Sequence, residues 1–135
     1  MSIKGGCLCG AVKYEITGSL EFAGNCHCSI CRKLHGAAYV TWTFVKPGQF
    51  KWISGKESLG TFKSSPERER LFCSICSTPL AASHHGNIGE VVLGSIDGDP
   101  GVKPTEHIFV GSKAPWHEIT DELPQYEQWP PGINP

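Results

Sequence analysis

Seven cysteines, none of them isolated, constrain this chain more than any other feature of its 135 residues. Cys7 and Cys9 form C-x-C. Cys26, Cys28 and Cys31 form C-x-C-x-x-C, and Cys73 and Cys76 form C-x-x-C. Short thiolate spacings of this kind suit metal ligation. An odd number of cysteines leaves one thiol over from any complete disulfide framework. Inert core cysteines would be scattered rather than gathered. The stretch 1–6 holds no apolar run, so no signal peptide is expected and a reducing cytoplasm is the expected compartment, where structural disulfides are rare.

Seven divides into four plus three. Cys7 and Cys9 lie far in sequence from Cys73 and Cys76, so a zinc shared by these four would close a tetrahedral site and staple the fold. Cys26, Cys28 and Cys31 offer three ligands within six residues and leave the fourth position open, as sites that perform chemistry do. A zinc on three thiolates carries a net negative charge and is a weak Lewis acid. It suits an incoming thiol, held there as thiolate. Two zinc ions per chain are therefore expected. Spacing alone leaves other partitions open. Members of the trio can instead join Cys73 and Cys76 in a zinc-ribbon-like knuckle, or a histidine can join the trio. In an extended segment His27 points away from its flanking cysteines, towards a supporting or surface place. His35 as a fourth ligand would close the site.

Sixteen glycines and ten prolines imply many turns and argue against long helices. Alternating, β-branched or aromatic stretches predict strands over 11–16, 37–44, 50–53, 59–63, 69–72, 79–83, 91–96 and 107–110, with loops over 84–89 and 97–104. One short helix is expected, over 29–34. The class is mainly β, and the length suits one domain over 1–135. The Pro-rich segment 113–135 is expected to be an extended arm docked by Trp116, Tyr126 and Trp129. Trp42, Phe44 and Trp52 are expected in the core. The formal net charge of -1 gives no basic excess for nucleic acid or an anionic membrane surface. Lys63, Arg68 and Arg70 form the only basic cluster beside a cysteine pair, and Glu67 and Glu69 interleave with it. No apolar run is long enough to span a membrane.

Gly5-Gly6-Cys7-Leu8-Cys9-Gly10-Ala11-Val12-Lys13-Tyr14-Glu15 resembles the opening of the glutathione-dependent formaldehyde-activating family. Cys26-His27-Cys28-Ser29-Ile30-Cys31-Arg32-Lys33 with Gly36-Ala37 resembles its second motif, and Phe72-Cys73-Ser74-Ile75-Cys76 its third. Ser112-Lys113-Ala114-Pro115-Trp116 and Asp121-Glu122-Leu123-Pro124 are similar to its C-terminal signature. The resemblance implies a zinc-stapled β-tent fold of antiparallel sheets with little helix. It implies a structural zinc on Cys7, Cys9, Cys73 and Cys76, and a catalytic zinc on Cys26, Cys28 and Cys31. The implied activity is that of a carbon–sulfur lyase, joining glutathione and formaldehyde into S-hydroxymethylglutathione or reversing that step. The implied partners are a small-molecule thiol and an aldehyde. The alternative is a non-catalytic zinc-binding interaction module in which both zincs are structural. Arg32 and Lys33 follow the last ligand of the trio, and two readings stay open for them: a pair that faces a substrate carboxylate, or solvated surface charges. None of His27, His35, His84, His85, His107 and His117 is brought to the metal by spacing, so no general acid is assigned. Ser77 stands where the family usually has glycine, which predicts a local backbone adjustment there.

Overall fold

The computed structural model describes residues 2–133; Met1 and the last two residues of the expected arm lie outside the described residues. The strands are β1 (Ser2–Gly6), β2 (Lys13–Thr17), β3 (Ala23–Cys26), β4 (Val40–Phe44), β5 (Phe50–Ser54), β6 (Leu59–Ser65), β7 (Arg68–Cys73), β8 (Pro79–His84), β9 (Asn87–Val92) and β10 (His107–Ile108), with helix α1 (Ser29–His35) between β3 and β4. They form a three-stranded sheet, ordered β1-β2-β5, and a seven-stranded sheet, ordered β10-β3-β4-β9-β8-β7-β6. All neighbours are antiparallel except β10, which pairs with β3 in parallel. The two sheets lean on one shared core, a mainly β, β-tent arrangement.

Strand alternation decides which side chains meet, because successive residues point to opposite faces. In the small sheet Ile3, Tyr14 and Ile16 turn inward while Lys4 and Lys13 turn to solvent. They pack with Val91, Ala81 and Leu80 from one face of the large sheet. Tyr14 stacks on Phe50 with ring centroids 5.1 Å apart and meets the edge of Trp52 at 6.2 Å. Its hydroxyl is 2.6 Å from the Ser95 hydroxyl, and burial pushes the phenol up to about 12. The opposite face of the large sheet carries a second cluster of Cys26, Cys31, Val40, Trp42, Ala82 and Ile108.

The structure adds two strands to those expected. β1 and β3 are short and rich in glycine or small residues, and are held by pairing rather than propensity. A third strand is shifted: β9 begins at Asn87, and Leu93–Ser95 coils into a single 3-10 turn where the Ser95 hydroxyl bonds the Val92 carbonyl at 2.8 Å. Helix α1 ends one residue later than expected, because Gly36 takes the left-handed conformation that caps it. Past β10, the chain lies alongside that strand: His107 N–H donates to the Pro124 carbonyl at 2.8 Å, and Tyr126 N–H to the His107 carbonyl at 2.9 Å. Trp129 packs edge-on against Phe109 at 5.1 Å. Trp116 does not dock. It stays 72% exposed, because a turn closed from His117 N–H to the Ala114 carbonyl faces it outward. Among the described residues no helix is long and apolar enough to cross a membrane.

Gly55 sits at φ 81°, where a Cβ would lie 1.8 Å from the Ala11 carbonyl oxygen. Gly55→Ala should therefore destabilise the fold by about 2 kcal/mol or more, read as a lowered Tm. An unchanged Tm would contradict this close approach of the turn to the entry of β2.

Candidate metal centres and the adjoining cavity

Cys7, Cys9, Cys73 and Cys76 place all four sulfurs within 4.8 Å of one another. Cys7 and Cys9 lie in the turn after β1, which is closed from Cys7 N–H to the Val12 carbonyl and from Gly10 N–H to the Cys7 carbonyl. Cys73 ends β7, and Cys76 follows in a turn closed from Ser77 N–H to the Cys73 carbonyl at 2.8 Å. The sulfurs of Cys7 and Cys9 are 3.6 Å apart, and those of Cys9 and Cys73 are 3.8 Å apart. A tetrahedral zinc with Zn–S bonds of about 2.3 Å separates its sulfurs by about 3.8 Å, so the four-sulfur set fits that ion. Backbone donors point at the sulfurs, from Val12 N–H to Cys7 at 3.2 Å and from Cys76 N–H to Cys73 at 3.5 Å. The Thr78 hydroxyl, helped by backbone N–H groups at Cys9 and Thr78, holds the Cys76 thiol down at about 5. Hydrogen bonds of this kind favour the charged, metal-ligating form.

Cys26, Cys28 and Cys31 form a separate three-sulfur group, again within 4.8 Å. Cys26 ends β3, Cys28 is the N-cap of α1, and Cys31 lies in the first helical turn. The cap sulfur accepts from Cys31 N–H at 3.3 Å, so ligand placement and helix initiation are one local event. The Cys26 and Cys28 thiols hold the Cys31 thiol well below its ordinary range, and the Arg70 guanidinium, 3.8 Å from the Cys31 sulfur, adds to that. The same thiol contacts push Cys26 up. Three thiolates this close repel, so the cluster can ionise fully only around a cation. Cys73 and Cys76 stand apart from this trio, and neither His27 nor His35 joins it among the described residues. His35 instead meets the edge of Trp42 at 5.7 Å.

His27 points away from the cysteines on either side, and it is buried, which excludes a surface place. A chain of hydrogen bonds runs from it through buried His107 to Asp121 at the surface. The Asp121 carboxylate accepts from His107 Nε2 at 3.0 Å, so His107 Nδ1 accepts from His27 Nε2 at 2.8 Å. Burial, then the basic groups beside it, His107 first, pushes His27 down to about 4. The ligand-bearing end of β3 is thereby tied to the segment after β10.

A cavity of about 250 Å³ adjoins the trio, walled by Trp42, Phe44, Arg68, Arg70 and Glu90 together with Cys26, Cys28 and Cys31. Sheet register explains the convergence. Phe44 pairs with Glu90, Glu90 with Ala82 and Ala82 with Arg70, while Trp42, two residues from Phe44, shares their face. Arg70 is buried, donates from Nε to the Ser64 hydroxyl at 3.0 Å and lies over Trp42 at 5.4 Å. Glu90 is buried and bonded to both Arg68 and His84. Trp42 Nε1 and Arg68 Nε are buried donors without a partner among the described residues.

Two expectations are corrected here. Trp42 is cavity wall as well as core, and Phe44 is half-buried cavity wall outside both core clusters, because their shared face is the one that looks onto the trio. Arg32 and Lys33 do not line the cavity; helical rotation carries them past Cys31, and Lys33 is exposed. The cavity's guanidinium groups come from β7 instead. Arg68 and Arg70 are committed there to Glu90, Ser64 and Cys31.

The family model described as glutathione-dependent formaldehyde-activating enzyme matches residues 2–112. A Halomonas elongata protein named "Putative glutathione-dependent formaldehyde-activating enzyme" is 27% identical over 128 residues, covering 88% of this chain and 82% of that one. A Schizosaccharomyces pombe protein named as an uncharacterized lyase is 31% identical over 78 residues, covering 57% of this chain and 54% of that one. The crystal structure of a Rhodobacter sphaeroides protein superposes with a TM-score of 0.60 at 23% identity, covering 71% of this chain and 89% of that one, a likeness of fold.

Ser77 adopts φ 70°, the left-handed region that glycine occupies without penalty. Ser77→Gly should raise stability by up to about 1 kcal/mol without altering metal content, measured by denaturant unfolding. A loss of stability would show that the serine side chain does more than tolerate this backbone.

Proposed function

The chain belongs to the glutathione-dependent formaldehyde-activating family, and from that premise we propose that it forms and breaks the carbon–sulfur bond of thiol–aldehyde adducts, with S-hydroxymethylglutathione as the type substrate. In this reading Cys7, Cys9, Cys73 and Cys76 hold a structural zinc, and Cys26, Cys28 and Cys31 hold the catalytic one. The observation that carries the reading is the pairing of an incomplete, three-sulfur set with a cavity, beside a four-sulfur set that fills every tetrahedral position. Zinc held by the trio supplies an open position at which a substrate thiol is kept as thiolate.

The surrounding residues then have definable work. Arg70 balances the negative charge of the cluster from 3.8 Å. Trp42, Phe44 and Trp129 wall off water and leave room for the reacting end of a thiol and an aldehyde as small as formaldehyde. The thiolate sulfur attacks the carbonyl carbon, the C=O π pair moves to oxygen, and a proton reaches that oxygen to give the hemithioacetal. The lyase direction is the reverse. Trp42 Nε1 and Arg68 Nε, the two unpartnered donors, are suited to an oxygen that becomes negative during the step.

Exchange of ¹³C-formaldehyde with glutathione, followed by NMR against the uncatalysed background, tests the reading. The zinc-loaded protein should accelerate exchange, and Cys28→Ser should lower that acceleration at least about 100-fold while the domain stays folded. A wild-type rate equal to background would contradict the reading. Cys73→Ser breaks the closed site and should abolish soluble, folded protein, because structural zinc binding is folding free energy. If the Cys28 and Cys73 variants behave alike in solubility and zinc content, the division of labour between the clusters fails.

A further inference from the structure

Carbon–sulfur bond formation requires a proton to leave the thiol and a proton to reach the new alkoxide. We propose that Glu90, backed by His84, carries that proton between sulfur and oxygen and connects the cavity to the outside; this rests on the carbon–sulfur reading above. Glu90 lies on β9 with its side chain 4% exposed. It lines the cavity beside the three cysteines, and it also lines a second, open groove that it shares with His84 and Phe44. One carboxylate therefore faces two compartments. Its Oε2 accepts from Arg68, and its Oε1 lies 3.0 Å from His84 Nε2. A single arginine answers the charge of a buried carboxylate. The imidazole on the other oxygen is 32% exposed and leads to solvent.

Elimination supports the same pair. The titratable and charged groups that face Glu90 are Arg68 and Arg70 from β7, His84 from β8, and Cys26, Cys28 and Cys31 from β3 and α1; β4 and the segment after β10 present Phe44 and Trp129. Arginine does not give up its proton in proteins. The cysteines are engaged as ligands in this reading. Glu90 and His84 remain, joined at 3.0 Å, and an imidazole can take a proton on one ring nitrogen and give one from the other. The step balances. The thiol S–H bond breaks and its proton passes to Glu90 and on to His84. The S–C bond forms as the C=O π pair moves to oxygen, and the held proton returns through Glu90 to that oxygen. No electrons enter or leave.

Thiol binding to the cobalt(II)-loaded chain tests this without turnover, through the sulfur-to-cobalt charge-transfer band, with glutathione and 2-mercaptoethanol as probes between about pH 6 and pH 8. With the pair present, the thiol proton stays in the site and apparent affinity depends only weakly on pH. In Glu90→Gln it must go to solvent, so affinity should climb about tenfold per pH unit. His84→Asn, at the groove, should steepen the dependence in the same direction, and it carries the test if the buried Gln variant fails to fold. In the exchange assay Glu90→Gln should lower kcat about 100- to 1000-fold with zinc content unchanged, and imidazole should restore the His84→Asn rate. Identical pH slopes in wild type and folded variants would overturn the relay and leave the carbon–sulfur reading standing. Absence of any thiol-dependent band in the wild type would overturn both.

Discussion

Thiolates repel one another, and this chain crowds seven cysteines into two places. That repulsion is the constraint on which the rest of the structure depends. In the first place the sulfurs come from the turn after β1 and the end of β7, so a cation held among them would tie the small sheet to the large one. Of the strands they join, β1 carries little propensity of its own: it is Ser-Ile-Lys-Gly-Gly. Packing of Ile3, Tyr14 and Ile16 against Val91 and Leu80 supplies the hydrophobic part of the junction. The sulfurs supply the directional part.

The second group obeys the same rule with one ligand fewer, and the large sheet gives it surroundings. That sheet has two different faces. One is apolar and leans on the small sheet. The other places Trp42, Glu90, Arg68 and Arg70 around the trio. Alternation along each strand keeps the two environments apart, so the cavity can hold charged groups without disturbing the main core. Helix α1 is only seven residues long, yet it fixes the trio because its N-cap is itself a ligand-type sulfur. On the far side of β3, Asp121, His107 and His27 brace the same strand by hydrogen bonds.

Much of this was legible in the sequence, and the rest was hidden for physical reasons. Thiol spacing is local information, so the three clusters announce themselves. So do β2 and β4, where branched and aromatic residues alternate or accumulate. The position of Ser77 also showed itself, as the backbone there takes the left-handed conformation. By contrast β1 and β3 contain Gly-Gly and Ala-Gly-Asn-Cys, which carry no periodic signal, and pairing partners hold them as strands. The cavity wall was hidden more deeply. Arg70, Ala82, Glu90 and Phe44 come from four strands, and only their long-range register makes them neighbours. Two signals did exist. Arg68 and Arg70 sit two apart, hence on one face, and Glu90 is a lone charge in an otherwise apolar strand. Arg32 and Lys33 were the more obvious basic pair because they touch the motif in sequence, but adjacency along a helix turns side chains away from one another.

We propose that seven sulfurs serve two zincs unequally, four closing one site and three leaving the other open. X-ray absorption at the zinc edge of the loaded protein tests it most directly. Two zincs should share seven sulfurs at about 2.3 Å, with one lighter donor, and gain an eighth sulfur when a substrate thiol is added. A spectrum that shows full sulfur or histidine coordination at both zincs before any thiol is added, and no change afterwards, would contradict it.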